Sequence, residues 1–521
     1  MIKFEDVAKI DMSCFDNIII SNENDTKTEF FGIPGNQHYR LLAYLSTLYQ
    51  DEMIIDIGTH RGSSALALSY NLSNKIASFD IVDNVTNPLI RNKSNILFRF
   101  QNLFTNFDLY KDLLLSAPII LLDIDPHDGN MEYDLYCYLK QNNYQGLLIC
   151  DDIWHFKNMR NNFWYLVEDP YKFDVTEYGH WSGTGIITFN PEHIENLNQY
   201  KNNNDNWTLV TGYFNLTKCP DASAEIKARD QAYYLQHARS TLSLPNNLVI
   251  YCDQESYDLI YAIRPSYLRP KTKYVIGEFD DFVINDVNFT EYRKIINQNR
   301  IDKPYQFDPR NTASYYLFCM SRYIMLRNQI EENPFDSTHF AWINICIERM
   351  GISNVRLLPK ALSINRDKFS TCYIDYIPKS LVDNENEYWK WGKCSRCSGW
   401  FTGNLKYMDL FCQYLLEKFI YYVGEKRGHA DETLYPKVQY EHEEIFENYF
   451  GDYQSMISNY VHVYDSPESI INIFIRNAYP HDKKKCLEAC EFILKSLKLK
   501  TCTLNDHYRN VLGGYYLNCQ I

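Results

Sequence analysis

Met53-Ile-Ile-Asp56-Ile-Gly58-Thr59-His-Arg-Gly62-Ser63-Ser64 decides how the first half of this chain is read. The apolar residues flanking Asp56 make a short buried strand. Gly58 and Gly62 then turn the chain tightly into an apolar helix expected over Ala65–Leu72. An acid at a strand's carboxyl end, glycines in the turn and a helix start behind them make a ligand crevice, because backbone amides and the helix terminus face whatever binds there. A second strand, Ile76-Ala-Ser-Phe79, ends at Asp80, about 24 residues beyond Asp56, where an acid can accept both hydroxyls of a ribose.

The alternation continues. Ile96-Leu-Phe-Arg-Phe100 reads as a third strand, ending near Gln101 and Asn102, where an adenine can be read. Pro118-Ile-Ile-Leu-Leu-Asp123 is a fourth, continuous and apolar and therefore central. Gly146-Leu-Leu-Ile-Cys-Asp151-Asp152 is a fifth. Asp174-Val-Thr-Glu and Gly185-Ile-Ile-Thr-Phe make a final antiparallel pair around the turn at Ser182-Gly183. Four parallel strands thus end in acids that point into one crevice. Gly35-Asn-Gln-His38-Tyr39 opens a helix leading into the first strand.

From about residue 30 to 190 the chain resembles the class I S-adenosylmethionine-dependent methyltransferases, in particular the metal-dependent O-methyltransferases of catechol and macrolide-sugar type. The motifs that carry this are Leu122-Asp123-Ile-Asp125-Pro-His127-Asp128-Gly and Cys150-Asp151-Asp152-Ile-Trp154-His155. The resemblance implies S-adenosylmethionine held by Asp56, Gly58, Thr59, Gly62, Ser63, Asp80, Asn102 and Asp123. It implies Mg²⁺ (or Mn²⁺) at Asp123, Asp151 and Asp152. Asp125 is an alternative to Asp123, because the Asp-x-Asp spacing leaves the register open. The residue chemistry agrees: Mg²⁺ takes hard oxygen ligands, and a metal-bound hydroxyl is easier to deprotonate. Asp123 is thereby catalytic, with His127 or His155 as the proton acceptor. The competing reading is that strand-end acids cap the helices that follow and that each His is structural. The aromatics Trp154, Phe156, Phe163, Trp164 and Tyr165 either wall the substrate site or fill the core.

Polar, Asn-rich residues at 196–206 make the best linker, separating a domain at 1–195 from one at 207–521. Strands recur in the second: Leu209–Phe214, Leu248–Asp253, Tyr274–Glu278 and Ala341–Ile345. Residues 207 to about 465 resemble the HtrL/YibB-type family of presumed bacterial glycosyltransferases. The matching stretches are Thr211-Gly-Tyr-Phe, Val249-Ile-Tyr-Cys-Asp253-Gln-Glu255, Asn333-Pro-Phe through Trp342-Ile-Asn344, Gly399-Trp-Phe-Thr-Gly403 and Asp431-Glu432-Thr-Leu-Tyr-Pro. The resemblance implies a GT-A-like α/β domain with a nucleotide sugar near Thr211, Asp253, Trp342, Asn344, Gly403 (in a loop from Gly399) and Asp431. Glu432, with Asp431, faces the acceptor. Asn344 stands where the family has an acid, so metal binding there is expected to be weak. Cys394-Ser-Arg-Cys397 has ligand spacing but no second pair to complete a zinc site. Lys483–Lys500 reads as a closing amphipathic helix with Leu487, Cys490, Ile493, Leu494 and Leu497 on one face.

The expected fold class is therefore α/β throughout, with a Rossmann-like, mostly parallel seven-stranded sheet first and a GT-A-like domain second. Composition excludes several alternatives. The 521 residues carry a net charge of -14 and no long basic stripe, which argues against nucleic acid as the main partner. No run approaches the length of a membrane span. The 15 cysteines without a signal-peptide layout suggest reduced thiols in a cytoplasm. The richness in Asn, Tyr, Ile and Lys suits an AT-rich genome, as in some bacteria or a large DNA virus, the latter placing the protein in host cytoplasm. The expected function is bifunctional glycan modification: O-methylation of a sugar hydroxyl plus sugar transfer from a nucleotide sugar, the glycan being the partner and a homodimer left open. The alternative is O-methylation of a sugar or phenol by a chain whose second half is a non-catalytic carbohydrate-binding module.

Overall fold

The computed structural model describes residues 2–20, 35–169, 171–193, 206–303, 309–428 and 430–520. The chain splits into two compact units, Met1–Lys201 and Asn202–Ile521. Of the expected linker, all but Asn206 lies outside the described residues.

The first unit is built on β1 (Met53–Ile57), β2 (Lys75–Asp80), β3 (Ile96–Phe100), β4 (Ile119–Leu122), β5 (Leu147–Cys150), β6 (Lys172–Asp174) and β7 (Gly185–Thr188), in the order β3-β2-β1-β4-β5-β7-β6. The first five are parallel, and β7 runs antiparallel to both neighbours. Every residue of β4 and β5 is buried, as expected of parallel strands covered on both faces. Asp174 ends β6 instead of opening it. The strand order reverses between β1 and β4, so a ligand crevice belongs at the carboxyl ends of these two strands. Helices α1 (Gly35–Ser46) and α2 (Ser63–Leu68) cover one face, with Leu41, Leu42, Leu45 and Leu66 in one buried cluster. The second helix stops short of Leu72 because an Asx turn, Asn71 Oδ1 accepting from Ser73 N at 3.2 Å, bends the chain towards β2. Helix α3 (Asn130–Gln141) follows β4.

The second unit contains β8 (Trp207–Tyr213), β9 (Asn247–Cys252), β10 (Thr272–Ile276), the small pair β11 (Val283–Ile284) and β12 (Val287–Asn288), β13 (His339–Ile343), β14 (Ser370–Tyr373), β15 (Arg396–Asn404) and β16 (Tyr449–Phe450). Its main sheet has the order β10-β9-β8-β13-β15-β14-β16. The first four of these are parallel and β15 is antiparallel, which makes a mixed α/β sheet with its own switch point between β8 and β13. Helix α4 (Gln254–Ile263) follows β9, and α5 (Ala313–Glu332) and α6 (Leu405–Gly424) share the large aromatic core with β13 and β15.

The Gly399–Gly403 segment is strand interior, not a loop. Its glycines make room for neighbours: a Cβ on Gly399 would stand 3.1 Å from Met456 Sδ, and one on Gly403 3.4 Å from Phe369 Cα. Helix α7 (Lys483–Lys498) buries Cys486, Ala489, Cys490, Ile493 and Ser496, leaving Leu487, Leu494 and Leu497 at the margin of that face. It is not the last helix: α8 (Asp506–Cys519) packs beside it. All fifteen cysteines are free thiols. Among the described residues no helix is long and apolar enough to cross a membrane.

Candidate functional site

A cavity of about 700 Å³ opens at the first unit's switch point. Gly58, Thr59 and Ser63 reach it from the turn after β1, Asp80 from the end of β2, and Gln101 and Asn102 from beyond β3. Asp123 enters after β4, and Asp151 and Asp152 after β5. Two backbone amides hold the Asp80 carboxylate there: Oδ2 accepts from His60 N at 2.7 Å and Oδ1 from Val82 N at 3.0 Å. Asn102 uses its side-chain oxygen to cap Phe104 N at 2.9 Å.

Two residues expected to bind cofactor lie elsewhere. Asp56 is fully buried beneath the cavity, its Oδ2 accepting from Ser78 Oγ at 2.7 Å, and burial raises its carboxyl above the ordinary range. Gly62 is off the wall as well. Its φ is +90° and a Cβ there would stand 2.8 Å from Ile90 Cγ2. Gly58 lines the cavity, yet its lack of a side chain answers a packing need. At φ +93° a Cβ would fall 1.5 Å from the Asp123 carbonyl oxygen, so only glycine lets the ends of β1 and β4 lie together.

The acids converge. One ligand atom each from Asp123, His127 and Asp152 lie within 4.8 Å of one another, and so do those of Asp151, Asp152 and His180. Asp152 belongs to both groups and sits at a left-handed φ of +59°. His127 Nε2 is 3.3 Å from Asp152 Oδ2 and its ring stacks on Phe156 at 4.7 Å. His180 Nδ1 is 3.6 Å from Asp151 Oδ2, and His38 Nε2 from α1 is 4.0 Å from the same oxygen. Of the two register choices, the fold brings in Asp123. Asp125 also lines the cavity, but its side chain is 96% exposed, pairs with His127 and joins neither donor group. His155 is exposed and packs on Phe156 and Trp181, away from the cavity wall. Trp154, Phe163, Trp164 and Tyr165 are buried core, and none of them lines the cavity.

Crowding sets the electrostatics. Burial, then the charge of Asp152, pushes Asp123 up to about 8. Burial and Asp123 push Asp151 well above the carboxylate range. Burial holds His38 down at about 3, and it lowers His180 too, so both imidazoles are neutral. Three clustered carboxyls beside neutral imidazoles make an oxygen-rich donor set that suits Mg²⁺ or Mn²⁺, and a divalent cation would relieve the crowding. His38 and His180 went unforeseen in the sequence. His38 lies 113 positions before Asp151 and His180 29 after it, and neither belongs to a motif with the acids.

In the second unit a cavity of about 800 Å³ opens at the ends of β8 and β13. Asn344 lines it, with Oδ1 accepting from Cys346 N at 3.1 Å. Asp431 is 2% exposed, and its Oδ2 accepts from Tyr323 OH at 2.7 Å and from Arg322 Nη1 at 3.2 Å. Glu432 accepts from Ser398 N at 2.8 Å and from Tyr453 OH at 2.6 Å. Other expected contacts are structural. Thr211 and Trp342 are buried in β8 and β13 off the cavity wall, the Trp342 ring lying 5.5 Å from the Arg322 guanidinium. Asp253 caps α4, accepting from Ser256 N at 2.8 Å and Asn215 N at 3.1 Å. Gly403 pairs with Phe340 near the start of β13, the end away from the cavity. Cys394 lines the cavity while Cys397 is buried in β15, and among the described residues neither joins a metal-donor group. The arginines that line this cavity, Arg229, Arg310, Arg322 and Arg349, were not anticipated, because they are scattered over 121 positions of sequence with no motif.

Residues 205–458 match the model of the HtrL_YibB family, described as a bacterial protein of unknown function. The family resemblance read from the second half therefore holds for that segment. Among solved structures, the apo form of mouse xyloside xylosyltransferase 1 aligns at 13% identity over 46% of this chain and 84% of that one, with a TM-score of 0.26. No curated protein matches the chain.

Proposed function

We propose that the chain is a two-part glycan-modifying transferase. Its first unit methylates a sugar hydroxyl with S-adenosylmethionine and Mg²⁺ (or Mn²⁺), and its second transfers a sugar from a nucleotide donor. One observation carries the methyltransferase reading: Asp123, His127, Asp151, Asp152 and His180 converge at the sheet's switch point, in the same cavity that Asp80 enters from the next strand.

On this reading Asp80, held by two amides, accepts the ribose hydroxyls, and Gln101 and Asn102 flank the base. Asp123, Asp151 and Asp152, with His180 beside them, would hold the cation. The cation would bind the acceptor hydroxyl and ease its deprotonation. His127 takes the proton at Nε2, and Asp152 at 3.3 Å steadies the resulting imidazolium. S-adenosylmethionine, when bound, would supply the methyl group, its carbon–sulfur bond breaking as the carbon–oxygen bond forms. His38, neutral and buried, braces Asp151 from the far side.

The test is calorimetry of the full chain with S-adenosylmethionine, followed by methyl transfer to a panel of sugars and catechols with and without EDTA. Absence of cofactor binding, or transfer that survives thorough chelation, would overturn the reading.

A second reading of the carboxyl half, a module that binds carbohydrate without transferring it, is favoured by the neutral amide at Asn344. Hydrolysis of a nucleotide sugar by the full chain separates the two.

A further inference from the structure

We infer that the second unit grips the diphosphate of its nucleotide ligand with two guanidinium groups, Arg229 and Arg349, in place of a metal ion. The inference rests on the nucleotide-sugar reading of the same cavity and specifies how that ligand is held.

The two arginines come from the segments that follow β8 and β13, the strands flanking the switch point, with Arg349 in the 3-10 turn Ile347–Met350. Ligands of open α/β sheets bind in the crevice those loops enclose. Both residues line the cavity and both are half-buried. They are oriented by one aromatic ring: the Arg349 guanidinium lies 4.7 Å from the centroid of Tyr233 and that of Arg229 lies 5.8 Å from it. Arg349 also lies 5.7 Å from the ring of Tyr234. Stacking on an aromatic face leaves a guanidinium's in-plane N–H donors available. Among the described residues neither arginine is paired with a carboxylate. Arg349 makes a long 3.9 Å contact from Nη1 to Cys346 Sγ, and Arg229 is hydrogen-bonded to the Tyr234 hydroxyl. Two half-buried cations without counter-ions, fixed on the wall of a large cavity, call for an anion, and two forks match the oxygens of a diphosphate.

The alternative, a metal on the diphosphate, needs free carboxylate oxygens. The wall's acids are committed: Asp431 to Arg322 and Tyr323, Glu432 to Ser398 and Tyr453. Asn344, where an acid would stand, is neutral and its oxygen takes Cys346 N. Arg322 is itself neutralised by Asp431, so the net positive charge at the cavity comes from elsewhere on the wall.

The experiment is calorimetry of the full chain with UDP, GDP, CDP and inorganic pyrophosphate, each in EDTA and in Mn²⁺. At least one nucleoside diphosphate should bind in EDTA, with affinity changed less than about twofold by Mn²⁺. Arg349→Gln and Arg229→Gln should each weaken it by about tenfold or more, and Arg349→Lys should recover only part, because an ammonium keeps the charge and loses the fork. Unliganded thermal unfolding of each variant checks that the fold is intact. Binding that demands Mn²⁺, or that survives both arginine substitutions, would overturn the clamp while leaving the nucleotide reading standing. If no nucleotide and no pyrophosphate binds in either condition, both fail together.

Discussion

At the residue scale, the sharpest expectations concern Asp80, Gly58 and Glu132. Removing the Asp80 carboxylate by Asp80→Ala deletes the acceptor aimed at a ribose. The loss should weaken S-adenosylmethionine binding by about tenfold or more, the worth of a charge-assisted hydrogen-bond pair, as read by calorimetry. Gly58→Ala forces a Cβ onto the Asp123 carbonyl and should lower stability by roughly 2–4 kcal/mol in denaturant unfolding. A neutral result there would mean that the ends of β1 and β4 can part freely. Glu132, in the first turn of α3, is 1% exposed, and burial pushes its carboxyl up to about 7. The unfolded chain ionises this group from near its ordinary value while the fold keeps it protonated. Its penalty therefore grows as pH rises from about 4.5 to about 7 and stays constant above. Glu132→Gln should accordingly stabilise the protein by about 1–3 kcal/mol at pH above 7 and do little near pH 4, which paired unfolding curves at the two pH values will show.

At the scale of elements, the sequence pattern exposed the parallel strands because each is a short apolar run, most of them closed by an acid, an amide side chain or a glycine. It located β1 to β5, β8, β9, β10 and β13 within a residue or two. β14 escaped because Ser370-Thr-Cys-Tyr373 has no apolar run, and its burial comes from its place between β15 and β16 and from Phe450 and Phe474 around Tyr373. β15 was mistaken for a loop because two glycines resemble a turn until their packing partners are known. In α8 only Leu512 is buried, so its pattern is too thin to read. The clustered acids Asp123, Asp151 and Asp152 were legible since a strand end fixes where they point. The histidines and arginines that complete the two sites were not, because only tertiary packing brings them there. One element prediction concerns the end of α5. Asn333 caps it at a left-handed φ of +41°, with its side chain bonded both ways to Ser337, at 2.9 and 3.1 Å. Asn333→Ala should cost about 1–2 kcal/mol, while Asn333→Gly, free of the Cβ penalty, should cost less.

At the scale of the whole molecule, the clustered acids should couple the first unit's stability to pH and to divalent cations. Asp123 at about 8 and the raised Asp151 hold protons that the unfolded chain would release. Metal-free stability attributable to them therefore falls as pH rises from about 4 to about 8. A divalent cation needs these carboxylates ionised and competes with their protons. Mg²⁺ should thus raise the thermal unfolding temperature more at about pH 8 than at about pH 5.5. An equal shift at both would disconnect the cation from these acids.

The Asn333 cap has a consequence for how relatives of this chain are sorted. The run from Asn333 to Trp342, the stretch on which the HtrL/YibB resemblance rests most, ends a helix, bonds through Ser337 to Thr208 and starts a buried strand. A search profile anchored on it will collect chains that share an architecture, whatever reaction they catalyse. Descendants that have lost or changed their chemistry will score as well as those that keep it. The alignment columns that should divide the family by ligand are those of Arg229, Asn344, Arg349 and Asp431, where a swap of charge would leave the architecture untouched and change what the cavity can hold.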